Sequence, residues 1–263
     1  MSFPGLGLRF KIQPVAFSLG GVAVHWYGVI LCAGFLLALW YALKNCRRFN
    51  LDSNTMLDAV IVGLVCGIVG ARLYYVAFFP GDVYWKNPTQ ILRIDEGGIA
   101  IYGGLIGGLL GGLVVARRKK INLGAALDLA ALGFLIGQGI GRWGNFVNQE
   151  AFGSQTDSLF RMVSENTAGL PVHPCFLYES AWCILGFVLL HAFSLKCRRY
   201  NGQIFLLYLV WYGVERFFVE ALRADSLIVP VVNLKVSQLV ALATVLIGLV
   251  FLFKFKKKKD LEV

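Results

Sequence analysis

GIAIYGGLIGGLLGGLVVARRKK, residues 98–120, is an uncharged run that ends abruptly in four consecutive bases. About 20 apolar residues in a helix cross the hydrocarbon core of a bilayer, and residues 98–116 supply that length without a charge. Six further stretches qualify in the same way: 26–43, 57–79, 124–141, 176–195, 203–222 and 237–253. They leave little chain for a soluble domain, and 57% of the 263 residues are hydrophobic against 15% charged. The sequence therefore predicts an all-α integral membrane protein with seven transmembrane helices, forming a single multi-pass domain over 1–263. Residues 1–25 are expected to form an N-terminal interfacial arm, and 142–174 a small extracytoplasmic insertion between spans four and five. The first 21 residues hold Pro4, Arg9, Lys11, Gln13 and Pro14, which interrupt any signal-peptide-like apolar core, so the arm reads as mature protein.

The bases set the orientation. One side of the seven spans carries fifteen Lys and Arg, in 44–48, 117–120, 196–199 and the 254–259 tail, and the other carries eight. The richer side is cytoplasmic by the positive-inside rule, which puts the N-terminus outside and the C-terminus inside. The net charge of +10 thus belongs to loops between spans and not to a basic patch on a soluble surface, and no nucleic-acid partner is expected. The lysine tail reads as a topological stop in contact with anionic lipid. Six cysteines without a CxxC pair suggest neither disulfides nor a metal site, and fit small buried apolar residues.

Within this frame the unusual polar residues fall toward the outer ends of the spans: His25 and Tyr27 on the first, Arg72 on the second, Tyr102 on the third, Arg142, Asn145 and Glu150 leaving the fourth, His173 and Glu179 entering the fifth. On the sixth, Tyr212, Arg216, Glu220 and Arg223 lie within an arc of about 80° at helical spacing. An intramembrane Arg costs about 2.5–3.5 kcal/mol on insertion scales, so it marks a polar interior. The alternative for Arg216 is a structural pair with Glu220 or Glu215; Arg72 is equally open to a structural role. Gly103-Gly107-Gly111 and Gly104-Gly108-Gly112 form small-xxx-small ladders, as does Gly133-Gly137-Gly141, and read as packing surfaces.

The run GRWGNFVNQEAFG at 141–153 resembles the signature of the prolipoprotein diacylglyceryl transferases, and VHWYG (24–28), GGIAIYGGLIGG (97–108), HPCFLYE (173–179) and YGVERFFVEALR (212–223) resemble further segments of that family in the same order. The resemblance implies transfer of the sn-1,2-diacylglyceryl group of phosphatidylglycerol to the lipobox cysteine of a prolipoprotein signal peptide, releasing glycerol phosphate. It implies membrane lipid as the medium, the bacterial cytoplasmic membrane as the location, and no metal or organic cofactor. Carried over by position, Arg142 binds the head group, Arg216 assists at the phosphate, and Tyr27, Asn145, Glu150, Gly153, Tyr212, Glu220 and Arg223 match positions associated with activity.

One position departs. The family often has His, proposed as general base, where this chain has Tyr102, and a phenol of pKa near 10 is a poor base at neutral pH. Either Tyr102 only donates a hydrogen bond to the lipid, or Glu150 or His25 takes the proton. Rival readings are a transporter, which would call for internal repeats and a site near the midplane, and a scaffolding protein, which gives no reason to gather Arg, Asn, Glu and Tyr at one end of several spans.

Overall fold

The computed structural model describes residues 1–93, 97–223, 228–229 and 234–255, so the lysine run beyond Phe255 lies outside the described residues. Along the chain run β1 (Ser2–Phe3), β2 (Leu8–Arg9), β3 (Val15–Leu19), β4 (Val22–His25), α1 (Trp26–Asn45), α2 (Ser53–Ala77) and α3 (Val83–Lys86). They are followed by α4 (Ile101–Arg118), α5 (Leu123–Asn148), α6 (Cys175–Lys196), α7 (Gln203–Leu222), β5 (Ile228–Val229), β6 (Leu234–Lys235) and α8 (Val236–Lys254). Among the described residues six segments are long and apolar enough to cross a membrane: Trp26–Phe49, Ser53–Ala77, Ile101–Arg118, Leu123–Asn148, Cys175–Lys196 and Val236–Lys254. The protein is accordingly a helical, multi-pass integral membrane protein. Helix α7 is also 20 residues long, but it carries Glu215, Arg216 and Glu220. Many large apolar side chains on the spans point outward, including Leu36, Trp40, Val65, Leu109, Val188 and Val250, which is the arrangement a lipid solvent requires.

Among the described residues the short strands pair antiparallel, β1 with β2, β3 with β4 and β5 with β6. The β3–β4 turn is Gly20-Gly21, with φ of 56° and 85°. Two successive left-handed residues are what a two-residue hairpin of the right twist demands, and glycine adopts that backbone without a Cβ clash.

The chain divides into two compact units, 43–126 and 1–42 with 127–263. In the first, Asp52 caps α2, accepting from the Thr55 amide at 2.8 Å and its hydroxyl at 2.7 Å; these bonds hold its carboxyl below the usual Asp range. Helices α2 and α4 meet along the predicted glycine ladder. A Cβ on Gly103 would strike the Gly70 carbonyl, one on Gly107 the Cys66 carbonyl, and one on Gly111 the Cys66 side chain at 2.8 Å. Across from it on α2, Gly70 meets Gly103 and Gly107, while Gly67 and Gly63 face the second ladder at Gly104 and Gly108, so the two backbones approach closely.

In the larger unit, α6 and α7 are locked by a reciprocal pair of tryptophans. Trp182 Nε1 donates to the Trp211 carbonyl at 3.0 Å, Trp211 Nε1 donates to the Trp182 carbonyl at 3.1 Å, and the rings stack with centroids 4.4 Å apart. The start of α7 is capped from another helix: Asp128 of α5 accepts from the Gly202 and Phe205 amides, each at 2.9 Å. Phe3, Met162, Val172 and Phe176 form a small apolar core that ties β1 to the segment before α6.

Candidate functional site

The Trp182–Trp211 pair fixes how α7 lies against α6, and one helical turn beyond it the charged groups meet. Glu179, on the first turns of α6 and 1% exposed, collects both guanidiniums. Arg142 of α5 pairs through Nε with Glu179 Oε2, and Arg216 Nη1 of α7 approaches Glu179 Oε1 at 3.4 Å. Arg216 also reaches Glu220, one turn along its own helix, with Nη2 at 2.6 Å from Oε2. Such buried charges persist only when paired, since removing an ion from water costs several kcal/mol. Of the two acids weighed as structural partners of Arg216, Glu220 is the one that pairs with it, and Glu179 joins it.

Around this cluster lies a polar wall. Tyr212 stacks on Tyr208, ring centroids 5.8 Å apart and planes 15° from parallel. Gln138 Nε2 donates to the Tyr208 hydroxyl at 3.0 Å, and Trp143 Nε1 to Ser180 Oγ at 3.0 Å. Ser180 in turn donates to the Gly139 carbonyl at 2.8 Å. Tyr27 packs against Gly144, where a Cβ would lie 2.7 Å from its ring.

The segment after α5 holds the next predicted residues. Glu150 accepts from the Asn145 and Asn148 amides at 3.0 and 3.3 Å. It sits between Gln149 and Ala151, both at φ 55°. Left-handed backbone in two non-glycine residues costs energy and tends to be kept where geometry matters. Gly153 bridges to Arg223, and its amide donates to the His173 carbonyl at 2.9 Å. A Cβ there would meet His173 at 2.8 Å and the Leu222 carbonyl at 3.0 Å, so this position needs glycine for close approach. Lys235 clamps the same end of α7, donating to the Glu220 carbonyl at 2.7 Å and to that of Arg223. His25 ends β4, opposite Val15, and is exposed.

Arg72 and Tyr102 belong to the 43–126 unit. Arg72 is structural: Nε donates to the carbonyl of Ile91, Nη1 to those of Gly97 and Gly98, and Nη2 to those of Gln90 and Arg93, at 2.6–2.9 Å. A guanidinium has five N–H donors, and all five are used. Tyr102 opens α4, 67% exposed, beside Tyr74.

Two buried acids were not placed in the site from sequence. Glu179 was read only as a polar residue entering the fifth span, and Glu215 only as an alternative partner of Arg216. Glu179 could have been found by asking which carboxylate balances two arginines on neighbouring spans. Glu215 is 5% exposed, and neither oxygen has a hydrogen-bond partner among the described residues. Those residues contain no group of three His, Cys, Asp or Glu placed to hold a metal ion.

Comparison with known proteins adds a second line. Residues 14–254 match the family model described as prolipoprotein diacylglyceryl transferase. The chain is 39% identical over 264 residues to the phosphatidylglycerol–prolipoprotein diacylglyceryl transferase of Bacillus cereus, covering 96% of this chain and 95% of that one. It is 41% identical over 244 residues to the protein of the same name from Finegoldia magna, covering 93% and 96%, and 39% identical over 261 residues to that of Bacillus mycoides, covering 96% and 95%.

Proposed function

Since the chain belongs to the prolipoprotein diacylglyceryl transferase family, we propose that it moves the sn-1,2-diacylglyceryl group of phosphatidylglycerol to the lipobox cysteine of a prolipoprotein signal peptide. A thioether forms and glycerol phosphate is released. The observation that carries this reading is the gathering of Arg142 and Arg216, from two helices, on the buried Glu179 of a third.

The chemistry asks for such a cluster. A sulfur nucleophile attacks the glyceryl carbon, the C–O bond to phosphate breaks, and the phosphate leaves with both electrons of that bond. Negative charge grows on phosphate oxygens as it does so. Guanidiniums already held in place, in a site of low dielectric, stabilise that charge without first having to reorganise. Arg suits the task because its planar fork meets two phosphate oxygens at once. Arg142 takes the head-group phosphate and Arg216 stabilises the departing oxygen. Glu179 and Glu220 hold the two guanidiniums in register until the lipid arrives. Tyr212 borders the same space, Asn145 and Glu150 shape its outer edge, and Gly153 with Arg223 closes the segment over the end of α7. Tyr27 packs against α5 at Gly144, two residues along the chain from Arg142.

The same reading makes α7 the seventh span, sixth in chain order, its charges facing protein rather than lipid. The N-terminus lies outside and the C-terminus inside, in the bacterial cytoplasmic membrane, with 1–25 as the interfacial arm and 142–174 as the extracytoplasmic insertion.

The experiment is transfer of label from phosphatidylglycerol labelled in its diacylglyceryl group to a lipobox peptide by the purified protein in lipid nanodiscs. Wild type is expected to label the peptide, and Arg142→Ala, inserted at the same level, to leave it unlabelled. Wild-type-like turnover by Arg142→Ala removes the phosphate role given to that residue; a wild type that labels nothing removes the reaction.

A further inference from the structure

The reaction described above needs a place for a proton, and the inference that follows rests on that reading. The attacking group is a thiol, of which only the thiolate is an efficient nucleophile. The leaving group begins as a phosphodiester monoanion and departs as a phosphomonoester that can carry one more negative charge. A proton must therefore leave sulfur and a proton is wanted at phosphate.

Among the buried acids of the cluster Glu215 stands apart. Glu179 is held by Arg142 and Arg216, and Glu220 by Arg216. Glu215, 5% exposed, holds neither an ion pair nor a hydrogen bond among the described residues. Buried polar atoms are nearly always bonded, and an exception calls for an explanation. The charges that act on it are those of the same cluster: Glu179 from α6, Arg142 from α5 and Arg216 beside it on α7. Cys183, Tyr208 and Tyr212 are the other titratable groups close enough to interact with it. On its far side α7 meets α8 through Gly213, against Thr244 and Val245, which do not titrate.

The charge balance agrees. Three carboxylates and two guanidiniums carry an excess negative charge when all are ionised, and an arriving lipid phosphate adds another. One proton on the acid that has no partner restores two carboxylates against two guanidiniums. Glu215 is the member whose lone pairs are open to it.

We propose that the Glu215 carboxylate is the proton relay of the transfer. As sulfur bonds to the glyceryl carbon, the S–H proton passes to Glu215. The carbon–oxygen bond breaks, its electron pair leaves with the phosphate, and Glu215 returns the proton to a phosphate oxygen before glycerol phosphate departs. The carboxylate is regenerated and no oxidant, metal or further reactant is consumed.

The test measures kcat/KM for peptide labelling from about pH 5.5 to 9.5 with wild type, Glu215→Gln and Glu215→Asp at equal insertion. General-base catalysis is worth about 10²–10⁴-fold. Glu215→Gln is expected to lose that much at neutral pH. Its rate should then climb tenfold per pH unit until the thiol ionises by itself near about pH 8.5, so that the gap to wild type narrows by roughly 30-fold. Glu215→Asp should keep the wild-type profile within about tenfold of the wild-type rate. A Glu215→Gln protein as fast as wild type overturns the proposal. So does one that is slower with an unchanged pH profile, because that is the signature of a structural acid. If Glu215→Gln does not insert, the wild-type profile decides: a rate that climbs tenfold per unit all the way to the thiol's ionisation means no base is at work. Failure of the wild type to label at all removes the transferase reading itself, a different result from a wild type that labels and a variant that keeps pace.

Discussion

Arg198, in the turn between α6 and α7, donates from Nε to Asp128 of α5 across 2.9 Å, and the aspartate is fully buried. The same carboxylate accepts from the amides of Gly202 and Phe205. One side chain therefore pairs a buried cation and caps a neighbouring helix, and α7 cannot slide along its axis without breaking both. Glu215, Arg216 and Glu220 inherit their height from this contact, roughly 11 residues or about 16 Å away at 1.5 Å per residue. Asp128→Ala leaves a buried guanidinium without its carboxylate and two helix amides without an acceptor. Breaking one side of a buried pair costs about 3–5 kcal/mol, so a fall of several degrees or more in the unfolding midpoint in detergent is expected. An unchanged midpoint would show that the cap contributes little.

The second prediction separates two residues from the signature segments. Tyr102→Phe should keep activity within about tenfold of wild type, since an exposed phenol contributes at most a hydrogen bond of about 0.5–1.5 kcal/mol. Arg216→Gln should lose orders of magnitude, because it strips a guanidinium from both Glu179 and Glu220 and from the phosphate. Both are read as kcat at saturating lipid and matched insertion. Equal inactivity of the two would return Tyr102 to the chemistry.

The glycine ladder gives a third. Gly107→Ala places a methyl group on the Cys66 carbonyl, and overpacking of this kind costs about 1–3 kcal/mol. At Gly112 the nearest atom to a new Cβ is 3.9 Å away, so Gly112→Ala should be nearly neutral. Resistance to unfolding by SDS, compared between these two single-methyl changes, reads the difference directly; equal resistance would mean that α2 and α4 can separate at little cost.

The fourth concerns topology. The bias of fifteen bases to eight predicts an outside N-terminus and an inside C-terminus. Single cysteines placed at each end of a cysteine-free protein should differ in reaction with an impermeant maleimide on whole cells, the first labelling and the second not. Labelling of both ends alike would reverse the assignment of spans.

Much of this architecture could be read from the chain because hydropathy over about 20 residues is a local property. The runs containing Gly107 and Ile136 announce helices without reference to anything else. The face shared by Tyr212, Arg216 and Glu220 is local too, and it led to the site. The glycines of α4 were legible as a packing surface, but their partner Gly63-Gly67-Gly70 was not, since three glycines spaced through α2 acquire meaning only against the other helix. Pairing of charges is non-local in the same way. Arg142 and Glu179 are separated by a span end and the whole insertion, and nothing in either segment says which acid will face which base. Arg72 shows the reverse error available to sequence reading. An arginine near a span end suggests a ligand, whereas its partners are main-chain carbonyls that no residue type reveals.

Those carbonyls have a consequence for how this part of the chain can evolve. Every amino acid carries one, so Arg72 holds the helical turn around Gln90, Ile91 and Arg93 without regard to which side chains they bear. Mutations can accumulate there without any compensating change at the arginine. A method that infers contacts from correlated substitutions is blind to such a hub, because one partner is constant in kind and the other is constant by chemistry. Gly98 is bound to it by shape, since a Cβ at that position would collide with the guanidinium. The segment is thus free in sequence and fixed in place, and its order is written in a single codon about 20 residues upstream.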